Sequence, residues 1–185
     1  MTLNAPEKTP PSKTKQNLPF RLGVVALGVI VFWLFMSLEG GNLLKTGTKA
    51  PDWTLDEPNS GRRMLSLNDL KGKVVVLDFW SLGCPPCMQM VPELDAVSRA
   101  FSENDVAVVG VAAWGESRND VFRLKRGRKL DYHLLVGIPD VIKKYRVSSL
   151  PTLYIIDKKG EIAKRHQGFW PRNELTDAIN DVLSD

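Results

Sequence analysis

The chain holds two cysteines in 185 residues, and they stand three apart in the stretch Cys84-Pro85-Pro86-Cys87. Two thiols at this spacing can form a structural clip, contribute half of a metal site, or cycle between dithiol and disulfide. A closed zinc site needs four Cys or His ligands. Besides the pair, only His133 and His166 are present, at no recognisable ligand spacing, so no metal is assigned. A structural role is also poorly served, because loop-closure stabilisation grows with loop length and a two-residue loop closes little. Redox use is chemically specific. The attacking species is the thiolate, whose pKa must fall from roughly 8.5 toward neutrality. A helix beginning at Cys84 supplies the positive end of a macrodipole and unpaired N–H groups. Pro85 and Pro86 suit a first turn, where an N–H lacks an intrahelical partner. They also remove two amides, which leaves the N–H of Cys87 as the nearest backbone donor to the Cys84 sulfur. On this reading Cys84 is the nucleophile and Cys87 the thiol that resolves the mixed disulfide. Two rivals stay open. Two thiolates with Met88 or Met90 are a soft ligand set for a Cu(I)-handling binding module. A peroxidase would need its cysteine in a different setting.

The elements that must position this pair can be read on either side of it. Val74–Trp80 is a continuous apolar, β-branched run after Lys71-Gly72-Lys73, which predicts a buried strand with Asp78 inside it. Met88, Val91, Leu94, Val97 and Phe101 recur at spacings of three and four, one apolar helical face. A second buried strand is predicted over Val106–Trp114. Strand, helix and strand make a βαβ unit with parallel strands. Beyond it come a helix at Ser117–Arg126, a shorter one at Val141–Tyr145, and a hairpin of Thr152–Asp157 with the segment after Lys158-Lys159-Gly160. A closing helix presents Leu175, Ala178, Ile179, Val182 and Leu183. Trp53–Leu67 reads as a small preceding hairpin around Asn59-Ser60-Gly61. The expected fold is α/β, a mixed sheet with helices on both faces and an N-terminal hairpin extension.

The formal charge is +4, most of it in residues 1–21, where Lys8, Lys13, Lys15 and Arg21 stand against Glu7. The remainder is nearly neutral, which argues against a nucleic-acid groove. Leu22–Leu38 is a run of 17 residues without a charge. It is at the short end of what crosses a bilayer core, and the basic side chains before it put the N-terminus in the cytoplasm by the positive-inside rule. The expected organisation is a disordered cytoplasmic tail (1–21), a transmembrane signal anchor (22–38), a linker (39–47) and the α/β domain (48–185). A cleaved secretory signal is the competing reading, and both export the domain.

The segment LDFWSLGCPPCMQMVPEL resembles the active-site segment of thioredoxin-like proteins. Asp78, six residues before Cys84, matches their buried acid, and Pro92, five after Cys87, matches their helix-kinking proline. SLPTLYIID matches the segment whose proline is cis, which makes Pro151 the cis residue and Leu150 the one facing the sulfurs and pairing with a substrate strand. GTKAPDWTL, LNDLKGKVVVLDFW and the insertion at Asp131–Tyr145 are similar to the membrane-anchored TlpA/ResA-like subgroup, which includes the extracytoplasmic reductants of cytochrome c maturation. The resemblance implies a thiol–disulfide oxidoreductase without cofactor, in which Asp78 is the base for Cys87. Its partners would be disulfide-containing extracytoplasmic proteins, apocytochrome c among them, with a membrane electron donor to recharge it. Gly83 stands where Trp is usual before the first cysteine, so Gly83 and Trp80 are further candidates for substrate contact. Met90 stands where some cytochrome-maturation members carry Glu, whereas Glu116 matches a second acidic position near their site.

Overall fold

A computed structural model describes residues 43–59 and 62–185, with the Arg62 side chain outside that set. The expected tail, transmembrane run and first residues of the linker lie outside the described residues. Among the described residues no helix is long and apolar enough to cross a membrane.

One mixed sheet of seven strands organises the domain, in the order β2-β1-β5-β4-β3-β6-β7. Its centre is β3 (Val74–Trp80), buried at every position as a continuous apolar run requires. It pairs in parallel with β4 (Val106–Ala112) and antiparallel with β6 (Thr152–Ile156). β7 (Ile162–Gln167) returns antiparallel along β6. On the other side, β1 (Thr54–Pro58) pairs antiparallel with β2 (Arg62–Ser66) and with β5 (His133–Val136), and β5 runs parallel to β4. The turn between β1 and β2 at 60–61 lies outside the described residues.

Side-chain alternation along a strand sends successive residues to opposite faces, and the core divides accordingly. Val74, Val76 and Trp80 face α1 (Pro85–Ala100), α2 (Arg118–Arg128) and α4 (Arg172–Ser184). Val75, Leu77 and Phe79 face α3 (Pro139–Lys144), the 3-10 turn Leu67–Leu70 and residues Leu43, Ala50 and Trp53 ahead of β1. There Phe79, Tyr145 and Tyr154 pack ring against ring at 5.2–6.4 Å.

Four expectations are corrected in detail. The second strand stops at Ala112, and Trp114 is exposed. The insertion at Asp131–Tyr145 contains a strand, β5, that fills the sheet between β1 and β4. In α1 the core-facing side is Cys87, Met90, Val91, Leu94 and Val97, with Met88 only partly buried. Cys87 acts as a small buried hydrophobe, which moves the apolar stripe relative to one begun at Met88. Finally, Leu43–Gly47 is not a free linker. Leu43 is buried, Tyr154 Oη accepts the N–H of Leu44 at 3.3 Å, and the N–H of Gly47 donates to the carbonyl of Ile162 at 2.8 Å.

Candidate active site

The reactive pair forms at the point where β3 hands over to α1. Cys84 is the N-cap of α1, extended at φ −106° and ψ 103°. A cap of this kind normally accepts from the second or third helical N–H. Pro86 occupies the second position and has none, so the N–H of Cys87 alone reaches the Cys84 sulfur, at 3.2 Å. The two cysteines are joined as a disulfide, the oxidised form of the pair. Their exposures differ: Cys84 is 8% exposed and Cys87 0%. The outer sulfur is the one a partner can reach. Pro92 lies inside α1 and withholds one helical hydrogen bond.

Asp78 lies on the same face of β3 as Val76 and Trp80, the face that packs on the cysteine pair. Its strand neighbours are Gly110 on β4 and Leu153 on β6. It is buried, and its Oδ1 has no hydrogen-bond partner among the described residues. Burial disfavours the charged form and pushes this carboxyl up to about 8, close to the ordinary range of a thiol. Tyr132, whose own pKa is raised by burial and then by the Asp78 charge, packs in the same cluster.

The Leu150–Pro151 peptide is cis. Its loop is held on both sides, by Thr152 Oγ1 donating to the carbonyl of Ser149 at 2.7 Å and by the N–H of Gly168 donating to the carbonyl of Pro151 at 2.9 Å. Leu150 is half-buried against the cores of both faces.

Glu116 is no bystander in its loop. Its Oε1 accepts from Ser81 Oγ at 2.5 Å and from the N–H of Leu82 at 2.9 Å, and its Oε2 from the N–H of Trp114 at 3.2 Å. It thereby ties the segment that leads into Cys84 to the segment that leaves β4. Burial alone would raise its pKa, but the hydrogen bonds from Ser81, Leu82, its own backbone and Trp114 outweigh that and hold it below the usual range.

Trp80, expected both to pack as the floor of the site and to touch substrate, does only the first: it is 1% exposed and packs in the core cluster that holds the cysteines. It forms floor, with no area left for a partner. Gly83 is exposed, and a Cβ added there would meet nothing within 4 Å, in a backbone conformation open to any residue. Packing therefore does not demand glycine before Cys84. Pro85 is exposed and Pro86 half-buried beside the pair.

Met90 is fully buried, and its sulfur accepts the N–H of Trp170 at 3.1 Å. That engagement weakens its candidacy as a soft third ligand. Among the described residues, no three His, Cys, Asp or Glu side chains converge as a metal site would require.

Two groups escaped the sequence reading. Ser81 is buried and is the hydroxyl that Glu116 holds, a pairing across 35 residues that no local pattern reveals. Glu57 is buried between His133 Nδ1 at 2.8 Å, Lys125 Nζ at 3.2 Å and Arg63 Nε at 3.3 Å. A signal for Glu57 did exist: it follows Trp53 and Leu55 at the strand period of two, on the side that must be buried.

Comparison with known proteins places this geometry among relatives. The AhpC/TSA family model matches residues 46–165. The thiol-disulfide oxidoreductase ResA of Bacillus subtilis (strain 168) is 29% identical over 174 residues, covering 91% of this chain and 94% of the relative. ResA of Halalkalibacterium halodurans is 30% identical over 146 residues, covering 78% of this chain and 80% of the relative. The thioredoxin domain of a thiol-disulfide oxidoreductase from Bacteroides vulgatus superposes with a TM-score of 0.67 at 25% identity, over 76% of this chain and 99% of that one.

Proposed function

Because the chain belongs to the AhpC/TSA family and is a thiol–disulfide oxidoreductase of thioredoxin-like fold, we propose that its Cys84/Cys87 dithiol reduces disulfides of partner proteins outside the cytoplasm. The Cys84 thiolate attacks one sulfur of the partner disulfide, forming a mixed disulfide and releasing the other partner sulfur as a thiolate, which takes a proton from water. Cys87 then passes its proton to the ionised Asp78 carboxyl and attacks the Cys84 sulfur. The second partner thiolate leaves, and the Cys84–Cys87 disulfide remains. The partner gains two electrons and the dithiol loses two, so a reductant must recharge it. An acid poised near 8 is matched to a thiol for such a transfer. No cofactor enters the scheme.

The observation that carries this reading is the asymmetry of the pair. Cys84 caps a helix at the surface, and Cys87 is sealed beneath it on the side of the sheet that holds Asp78. A Cys87→Ser variant should therefore accumulate a mixed disulfide through Cys84 when offered a peptide disulfide. Cys84→Ser should accumulate none, and trapping through Cys87 instead would contradict the assignment. Turnover with peroxide as fast as with protein disulfides would favour a peroxidase over a reductase.

In this reading the Leu22–Leu38 run crosses the inner membrane once, with the N-terminus cytoplasmic and the catalytic domain in the periplasm, where a membrane donor recharges it. Two features support the anchor. Basic residues precede the run, and the similarity to B. subtilis ResA spans more of the chain than the domain itself, extending upstream of Leu43. Apocytochrome c is the proposed partner class, supported by the TlpA/ResA-like motifs and by Glu116, which follows β4 and accepts hydrogen bonds from the segment leading into Cys84.

A further inference from the structure

Strands β5, β4, β3 and β7 all run in one direction. Two residues past the end of each stands a large apolar side chain left in solvent: Ile138, Trp114, Leu82 and Phe169, between 41% and 59% exposed. Among the described residues only Met64 is a further exposed large hydrophobe. The four therefore mark one edge of the sheet, the edge that carries Cys84 and Pro151. At about 4.8 Å per strand this rim is roughly 19 Å across.

On the β4–β5 side the rim opens into a groove of about 740 Å³, floored by Ala113, Pro139, Ile142 and Val147. Both site-forming loops flank it. The N–H of Ala113 donates to the carbonyl of Trp80 at 2.8 Å, just ahead of the segment leading to Cys84. Ser148, also in the wall, lies two residues before Leu150. The rim of the groove is basic. Lys143 and Arg146 are exposed, and among the described residues neither forms an ion pair, whereas adjacent Lys144 is paired with Asp140 at 2.7 Å. An apolar floor with two unneutralised cations selects an occupant of matching character.

We propose that the groove between α3 and the end of β4 seats an apolar, carboxylate-bearing segment of the partner protein, next to the disulfide that Cys84 attacks. Apolar side chains cover Ile142 and Val147, and the carboxylate meets Lys143 and Arg146. The inference rests on the thiol–disulfide reading and adds to it the chemistry of the partner.

The test uses the full-length chain with dithiothreitol as reductant and two cysteine-centred peptide disulfides. Both carry leucines on each side of the cysteine, one with glutamates and the other with lysines as neighbours. The readout is the ratio of kcat/KM for the Glu peptide to that for the Lys peptide, which a partly unfolded variant leaves unaffected. The native chain should favour the Glu peptide by about tenfold at low salt, less as ionic strength rises. Lys143→Glu/Arg146→Glu should invert the ratio. Lys158→Glu/Lys159→Glu makes the same change in net charge at the opposite end of β6 and should leave the ratio in place. Equal rates for both peptides with the native chain, or a ratio unmoved by the groove variant, would overturn the proposal while leaving the reductase reading intact. Reduction of neither peptide would overturn both.

Discussion

At the scale of single residues, the proposed chemistry rests on one carboxyl and one amide. Asp78 is neutral in the fold up to about 8, while in the unfolded chain it ionises near 4. The folded state therefore holds an extra proton across that window, and its stability falls as pH rises from about 4 to about 8, by up to about 1.4 kcal/mol per pH unit. Asp78→Asn should remove that slope and unfold at higher denaturant than the native protein at pH 8, with little difference at pH 4. Denaturant titrations at the two values check this. The same variant should slow the step in which Cys87 releases the partner and abolish its acceleration through pH 8. Asp78 was legible from its place six residues before Cys84. Its isolation was not, because the lack of a partner for Oδ1 depends on strands that meet only in the fold.

At the scale of elements, Glu116 fastens the end of β3 to the end of β4 and so sets the entry angle of the chain into α1. Glu116→Ala should cost about 1–2 kcal/mol and slow thiolate attack by Cys84 about tenfold, since small misplacement of a reacting group is expensive. Glu116→Gln should fall between, because its oxygen still accepts from Ser81 and Leu82 while its amide nitrogen faces the N–H of Trp114. Alkylation rates of reduced Cys84 measure the second effect. The stabilisation from Glu116 is present above the unfolded pKa of about 4.3 and is lost as pH falls through its lower folded value. The elements themselves differ in legibility. β3 and α1 were readable because burial on both faces and a capped helix leave strong local patterns. β5 was not, because four residues between Tyr132 and Gly137 are too few to carry a period. Leu43–Gly47 reads as a tether by composition, yet its backbone completes hydrogen bonds with residues more than 100 positions away.

At the scale of the whole molecule, two charge arrangements sit at different places on one sheet. The reactive edge holds the cysteine pair and its rim, while Glu57 anchors β1, β2, β5 and α2 through Arg63, His133 and Lys125. Burial alone would raise the Glu57 pKa, but His133 and then Lys125 outweigh it and hold it at about 2. Its contribution is present above an unfolded pKa of about 4.3 and is lost as pH falls toward 2. Glu57→Gln should cost about 2 kcal/mol at pH 7 and almost nothing at pH 2, without altering the chemistry at Cys84. Thermal melts across that range check the difference. In the proposed reaction electrons flow from the Cys84/Cys87 dithiol to the partner disulfide. One N–H, that of Cys87, reaches the Cys84 sulfur, and the prolines at 85 and 86 withhold the next two. A thiolate so sparsely supported is not strongly favoured, and a couple becomes oxidising when its reduced form is stabilised. The reduction potential of the Cys84/Cys87 couple, measured by equilibration of the full chain with glutathione or dithiothreitol buffers, tests this directly. A value near that of a reductant, about −270 mV, is expected, and a value near about −120 mV, that of a disulfide-forming oxidant, would reverse the proposed direction.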